Sequence, residues 1–265
     1  PKPLRDPKAL TCWNALLVIG FAEAHRALPE KGYDQAATSL LDTLLNTVWQ
    51  NGAIAHQYLK DTAEGDGFLD DYSSFGQALL EGFLLTGNSM YLERAHELAE
   101  RIERVFPFEG DFRVYSPAVD AAWQKQLEIE DNVIPSANSM WAHFYQSMGT
   151  IADRNDWKEQ PQQALRTLHS KVFRYGPNFS NWLELGLMRA YGAKELVITG
   201  PGAKAAAEDL QRTHYQPGTL VLFSESASEL AHFKGRVGHT LTYYLCSNNT
   251  CQLPTTDLNE LLKLW

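Results

Sequence analysis

Four short polar-aromatic signatures recur along this chain, and each stands at the mouth of an apolar helical stretch. They are KALTCWN over 8–14, FLDDY over 68–72, DNVIPSANS over 131–139 and NFSNW over 178–182. After each of the first three, the chain runs through an apolar helix, a turn, a second helix and a long loop. That is the layout of stacked αα-hairpins. If alternate helices run parallel, all four signatures share one rim. Such a rim gathers unpaired N–H groups and the positive ends of helix dipoles, so it favours oxygen-rich ligands.

Apolar spacing predicts helices over 8–27, 34–49, 71–86, 90–105, 136–152, 157–173 and 181–191. The helix over 71–86 is apolar around most of its circumference and reads as an inner helix. The helix over 90–105 sets Leu92, Ala95, Leu98, Ala99 and Ile102 against a face of Glu and Arg, and reads as an outer one. A loop is expected over 53–67, and irregular chain over 107–130 with one short strand near 111–115. Beyond residue 193 the pattern changes. Short apolar strands near 195–199, 220–223 and 240–246 alternate with helices near 203–212 and 258–264. The expected fold is mainly α: a partial (α/α) toroid of helical hairpins over 1–193, with a small C-terminal α/β module over 194–265. Seven helices do not close a ring of hairpins, and an open arc leaves apolar inner faces uncovered. An upstream domain or a homo-oligomer covering the arc is therefore expected.

Composition narrows the partners. The net charge is −9 and no segment is rich in Lys and Arg, which argues against nucleic acid and anionic membrane. No apolar run approaches the roughly 20 residues that span a bilayer, and Pro1–Pro7 has no apolar core of a signal peptide. Three cysteines suit a reducing, cytoplasmic setting with Cys246 and Cys251 as free thiols. Cys246, Cys251, His239 and Asp257 lack any standard zinc spacing, so neither metal nor cofactor is expected.

Asp70, Asp71 and Asp131 are the candidate catalytic residues. Paired carboxylates in a sugar cleft can protonate a leaving oxygen while the second activates water or attacks. Neighbours in sequence rarely point at one atom, so a working pair would join Asp70 or Asp71 to Asp131 or Glu130 across the rim. The competing reading makes Asp71 an N-cap that binds the N–H of Ser74. Trp13, Tyr72, Trp141 and Trp182 offer faces for stacking on a sugar ring, or else pack the core. Asn14, Ser136, Asn138 and Ser139 match hydroxyl groups, or else cap helices. Proton abstraction beside a carbonyl wants a base that titrates near neutrality. His56, in the loop before Asp70, is the best placed, followed by His143; His25, His96 and His169 fall on helices. Gly200-Pro201-Gly202 lacks the residues of a phosphate loop, and no nucleophile elbow is present.

The signatures and the tail together resemble the spermatogenesis-associated, thioredoxin-domain proteins, whose bacterial relatives carry a six-hairpin, glycosidase-like toroid. The family's D-x-K-x-L-T-x-W-N-G-L is matched from Asp6 to Leu16, with Ala15 for Gly. Its F-L-D-D-Y-A is matched by Phe68 to Tyr72, with Ser73 for Ala. Its D-x-x-x-P-S-G-N-S is matched by Asp131, Pro135, Ser136, Asn138 and Ser139, with Ala137 for Gly. Its closing aromatic-V-C strand and C-x-x-P turn resemble Tyr244-Leu245-Cys246 and Cys251-Gln252-Leu253-Pro254. The resemblance implies the C-terminal half of a longer toroid, without the thioredoxin domain. That toroid is similar to those of N-acylglucosamine 2-epimerases and other six-hairpin carbohydrate enzymes, a likeness of fold that does not fix function. Two functions are expected to compete. One is a carbohydrate-active hydrolase or epimerase module with a saccharide ligand at the rim, bound by Trp13, Asn14, His56, Tyr72, Ser136, Asn138 and Trp182. The other is a non-catalytic scaffold for a thioredoxin-like domain.

Overall fold

The structure, a computed structural model, describes residues 3, 6–60, 62–116, 127–226, 228–247 and 250–265. The chain opens with β1 (Ala9–Leu10), α1 (Thr11–Ala27) and α2 (Tyr33–Thr47). Three strands follow: β2 (Trp49–Gln50), β3 (Ala53–Leu59) and β4 (Thr62–Asp66). The loop expected over 53–67 is therefore corrected to a hairpin, with β3 antiparallel to β1, β2 and β4. Asn51-Gly52 supplies positive φ for the turn between β2 and β3, and Ile54 and Ala55 anchor β3 in the core.

Two more hairpins repeat the plan. The first is α3 (Leu69–Thr86) with α4 (Ser89–Val105), the second α5 (Ala137–Ile151) with α6 (Asn155–Arg174). Between them lies a short strand pair, β5 (Phe108–Glu109) and β6 (Phe112–Arg113). The helix α7 (Ser180–Ala190) follows. Inner helices pack in sequence: α1 on α3, α3 on α5, α5 on α7. The second helix of each hairpin lies outside. α4 buries Tyr91, Ala95, Leu98, Ala99 and Ile102 and turns its charges to solvent.

Size matching lets the inner helices approach. A Cβ on Gly76 of α3 would lie 2.5 Å from Cζ of Phe144 on α5, so only glycine admits that ring. Trp141, Trp157 and Trp182 are wholly buried. Each removes roughly 200 Å² from water, about 5 kcal/mol before entropy is counted. Arg113 is buried too, and among the described residues it forms no ion pair with a carboxylate. Its Nη1 donates to the Phe106 carbonyl at 2.8 Å and its Nη2 to Gln160 at 2.8 Å. Its guanidinium lies 4.2 Å over the Phe108 ring, and cation–π attraction compensates part of its lost hydration.

The tail is built from β7 (Lys194–Thr199), α8 (Ala203–Thr213), β8 (Thr219–Ser224), β9 (Thr242–Ser247), β10 (Thr250–Cys251) and α9 (Leu258–Leu262). The central strand β7 runs parallel to β8 and antiparallel to β9. Strand alternation divides it: Leu196 and Ile198 face a second apolar core with α8 and α9, while Val197 joins the helical core. Cys246 and Cys251 face each other across the β9–β10 pair and form a disulfide. The expectation of two free thiols there is overturned, because strand register aligns them. Cys12 keeps a buried free thiol. The result is a partial (α/α) toroid of helical hairpins carrying small sheets. Among the described residues, no helix is long and apolar enough to cross a membrane.

Candidate functional site

The rim expected from the signatures is present, and carboxylates stitch it. Asp71 is fully buried in the first turn of α3. Its Oδ2 accepts from the Phe68 N–H at 3.0 Å, which caps its own helix. Its Oδ1 accepts from the Cys12 N–H at 3.0 Å, in the first turn of α1. One side chain thus caps two neighbouring helices and brings their N-termini side by side. The capping reading holds in kind, but its partner is corrected: Asp71 reaches back to Phe68, not forward to Ser74.

Asp131 repeats the device on the other side. Its Oδ1 accepts from the Ser136 N–H at 2.9 Å and the Ser139 hydroxyl at 2.8 Å. Its Oδ2 accepts from the Asn181 N–H at 2.9 Å, joining α5 to α7. An amide ties the start of α5 to β6 and to the loop before the helix. Asn138, fully buried, accepts from the Arg113 N–H at 2.8 Å and donates to the carbonyls of Arg113 and Glu128 at 3.0 Å.

Other expected ligand-binding groups are likewise engaged. Asn14 donates to the Leu10 carbonyl at 2.8 Å. The Ser136 hydroxyl caps α5, accepting from the Ser139 N–H at 3.2 Å. Tyr72 is buried with its hydroxyl accepting from the Ile54 N–H at 3.0 Å. Trp182 is buried with its indole donating to the Ile129 carbonyl at 2.9 Å. Neither Tyr72 nor Trp182 offers an open face for a sugar. Trp13 is open, 62% exposed, on a side of α1 that also exposes Leu17.

The carboxylate left out of these caps is Asp70. Helical geometry turns it about 100° from Asp71, so it leaves the seam. Its Oδ1 is buried without a hydrogen-bond partner among the described residues. Burial, then the adjacent Asp71 and then Glu128, pushes its carboxyl up to about 7. Burial also raises Glu128, against the Ala137 N–H that favours its ionised form. The negative charge of Glu128 thus adds to that of Asp71 in disfavouring ionisation of Asp70. Beside Asp71 stands His56, whose Nδ1 lies 2.8 Å from Asp71 Oδ2. That bond raises the imidazole above its ordinary value and leaves Nε2 as the free nitrogen. Asp71 is raised by its burial, against the bonds from His56, Phe68 and Cys12. The Tyr115 phenol interacts with Asp70, and its ring stacks on Phe68 at 4.9 Å. The His56 ring meets Phe68 edge-on at 4.9 Å. Phe68, Tyr115 and His56 are all only half-buried, so the rim's open aromatic surface is here.

Glu128 and Tyr115 are the residues that sequence reasoning missed. Glu128 lies three positions before Asp131 in a loop with no period to set its direction, and Glu130 is the one turned to solvent. Tyr115 is tied in by its own backbone, since its carbonyl accepts from the Leu69 N–H at 2.9 Å.

Below the rim, the inner helices and the tail enclose a cleft of about 330 Å³. Leu16, Ile19, Met140, His143 and Glu184 line its walls, and Gln211 and Tyr215 lie at the tail's side. Within it, Arg26 pairs with Glu23 and Glu81 and donates to Gln211 at 2.9 Å. His143 bonds the Asn181 carbonyl at 2.8 Å.

Arc, stitched rim and inner cleft make up a partial α/α toroid, similar in fold to six-hairpin glycosidase-like enzymes. The GH76 α-mannanase of Bacteroides thetaiotaomicron superposes on 63% of this chain with 46% of its own, at TM-score 0.52 and 14% identity. The cellobiose 2-epimerase of Bacillus thermoamylovorans covers 64% of this chain with 47% of its own, at TM-score 0.51 and 19% identity. No family model matches the chain. In sequence, the chain is homologous over its whole length to the C-terminal part of spermatogenesis-associated protein 20, of the thioredoxin-domain family. Identity is 26% to the mouse protein and 24% to the human one. The chain spans 36% and 37% of their lengths.

Proposed function

We propose that the rim around Asp70 is an acid/base site acting on a saccharide-like ligand. The observation that carries this reading is the half-buried Asp70 carboxyl, whose Oδ1 has no hydrogen-bond partner among the described residues and whose burial favours the protonated form. Such a group can donate a proton to a glycosidic or carbonyl oxygen at neutral pH. Glu128 is the second carboxylate, and His56, oriented by Asp71, is the second base. The Phe68–Tyr115 stack supplies the apolar face against which a pyranose ring packs. Asp71 and Asp131 take structural roles in this reading, because each already accepts three hydrogen bonds. The toroid fold of the mannanase and the epimerase supports the substrate class by analogy only. A cytoplasmic location belongs to the same reading through the low cysteine content, with the Cys246–Cys251 bond as its counterweight.

A scaffold without catalysis is the second reading. It is favoured by one observation: Asn14, Asp71, Asp131, Ser136 and Asn138 all spend their polar groups on the fold. The two readings separate on a panel of aryl glycosides and reducing disaccharides, assayed for hydrolysis and for deuterium uptake at carbon 2. The catalytic reading expects turnover that Asp70→Asn reduces at least 100-fold without lowering the melting temperature. Turnover unchanged by Asp70→Asn refutes it, and no turnover of any saccharide selects the scaffold.

A further inference from the structure

The tail carries a reactive group that the rim does not use. The edge strand β10 has two residues, and both are exposed. Its Cys251 is bonded to Cys246 of β9, directly across the antiparallel pair. The two sulfurs belong to unlike surroundings. Cys246 is buried, 3% exposed, on a strand inside the sheet, whereas Cys251 is open to solvent. Arg236, from the loop between β8 and β9, sets its Nη2 3.7 Å from Cys251 Sγ. Its guanidinium lies 5.0 Å over the Tyr244 ring. Its backbone is fixed as well, because the Arg236 carbonyl accepts from the Thr199 and Tyr244 hydroxyls at 2.9 and 3.3 Å. Among the described residues, Arg236 forms no ion pair with a carboxylate. A fixed cation does little for the neutral sulfur of a disulfide. It stabilises the thiolate that appears when the bond opens.

We infer that Cys246–Cys251 is a thiol–disulfide exchange site, entered at Cys251 by an external dithiol. The inference does not rest on the rim chemistry. Exchange needs direct approach of a thiolate to a sulfur, which exposed Cys251 allows and buried Cys246 does not. The entering thiolate bonds to Cys251 Sγ as the bond between the two cysteines breaks. Cys246 leaves as a thiolate and takes a proton from water. The entrant's second thiolate then attacks the entrant's own sulfur in the mixed disulfide. That step closes the entrant's disulfide and releases Cys251 as a thiolate beside Arg236. The dithiol is oxidised by two electrons, and the cysteine pair is reduced by two. A monothiol is the poorer entrant. Strand register holds Cys246 opposite Cys251, so Cys246 recaptures Cys251 at high effective concentration and expels a single thiol.

The test is reduction of the folded 265-residue chain at pH 7, with acid quench, alkylation and mass mapping of the cysteine peptides. Dihydrolipoic acid and a Cys-Gly-Pro-Cys peptide serve as a small and a protein-like dithiol, and glutathione at equal thiol concentration as the monothiol. Both dithiols should reduce the pair roughly ten-fold faster than glutathione or better. A faster peptide assigns the entrant to a protein, and faster dihydrolipoic acid to a small molecule. The glutathione adduct trapped on the way should map to Cys251. In the reduced chain, Arg236→Gln should slow iodoacetamide labelling of Cys251 about three-fold or more at pH 7, and Arg236→Lys should restore most of it. Melting temperatures of the oxidised variants check that both fold. A pair that resists both dithiols until urea unfolds the chain overturns the inference. So does a glutathione adduct on Cys246, or labelling of Cys251 at one rate in parent and Arg236→Gln. Glutathione as fast as the dithiols overturns the choice of entrant.

Discussion

Replacing Asp70 by Asn should make the protein more stable at alkaline pH and change little at acid pH. The carboxyl holds its proton to about pH 7 in the folded chain, against an ordinary 3.8. Ionising it therefore costs the folded state about 4 kcal/mol. One side of the residue reaches solvent, and screening there halves the figure to about 2 kcal/mol. The sign follows from proton binding: between pH 4 and pH 7 the folded state holds a proton that the unfolded chain has lost. The contribution is complete below pH 4 and disappears as pH rises through 7. Asn cannot ionise, so the variant loses this slope. Thermal and urea melts at pH 4 and pH 8 measure it. The variant should match the parent at pH 4 and exceed it by about 2 kcal/mol at pH 8, roughly 4–8 °C for a chain of this length. Parallel stability-against-pH curves for the two proteins would refute the argument, as would a variant weaker at pH 8, the behaviour of a lost helix cap.

Asp131→Ala should cost about 3–5 kcal/mol, because it strands two backbone donors and a hydroxyl at the junction of α5 and α7. Denaturant midpoints would show it, and a loss under 1 kcal/mol would mean that water replaces the carboxylate without penalty. Gly76→Ala should cost about 1–3 kcal/mol by pushing Phe144 off α3. Phe144→Leu should recover part of that loss, and an unaffected melt for Gly76→Ala would deny the close approach of the two helices.

The helical arc was legible because its signal is long and periodic. Inner and outer helices differ in how much of their circumference is apolar, and α3 and α4 show that contrast directly. The hairpin of β3 and β4 was not legible, because His56 and Gln57 break the apolar alternation that marks a strand. The signatures located the rim correctly, yet they could not divide its labour. In Asp70-Asp71, helix geometry guarantees that the two carboxylates diverge, but only packing decides which enters the seam. Glu128 has no periodic neighbours, so nothing in the sequence aimed it at Asp70. The disulfide was missed for a different reason. Cysteine count speaks to compartment, whereas strand register places Cys246 opposite Cys251.

The shared caps carry a consequence for how this chain opens. When α7 detaches, Asp131 loses its bond to Asn181 and the start of α5 is disturbed at once. Likewise, freeing α1 from Asp71 unsettles the first turn of α3. Protection against amide exchange at Asn181 and at Ser136 should then rise and fall together, although the chain separates them by two long helices. Neighbouring rods in this arc come loose in pairs.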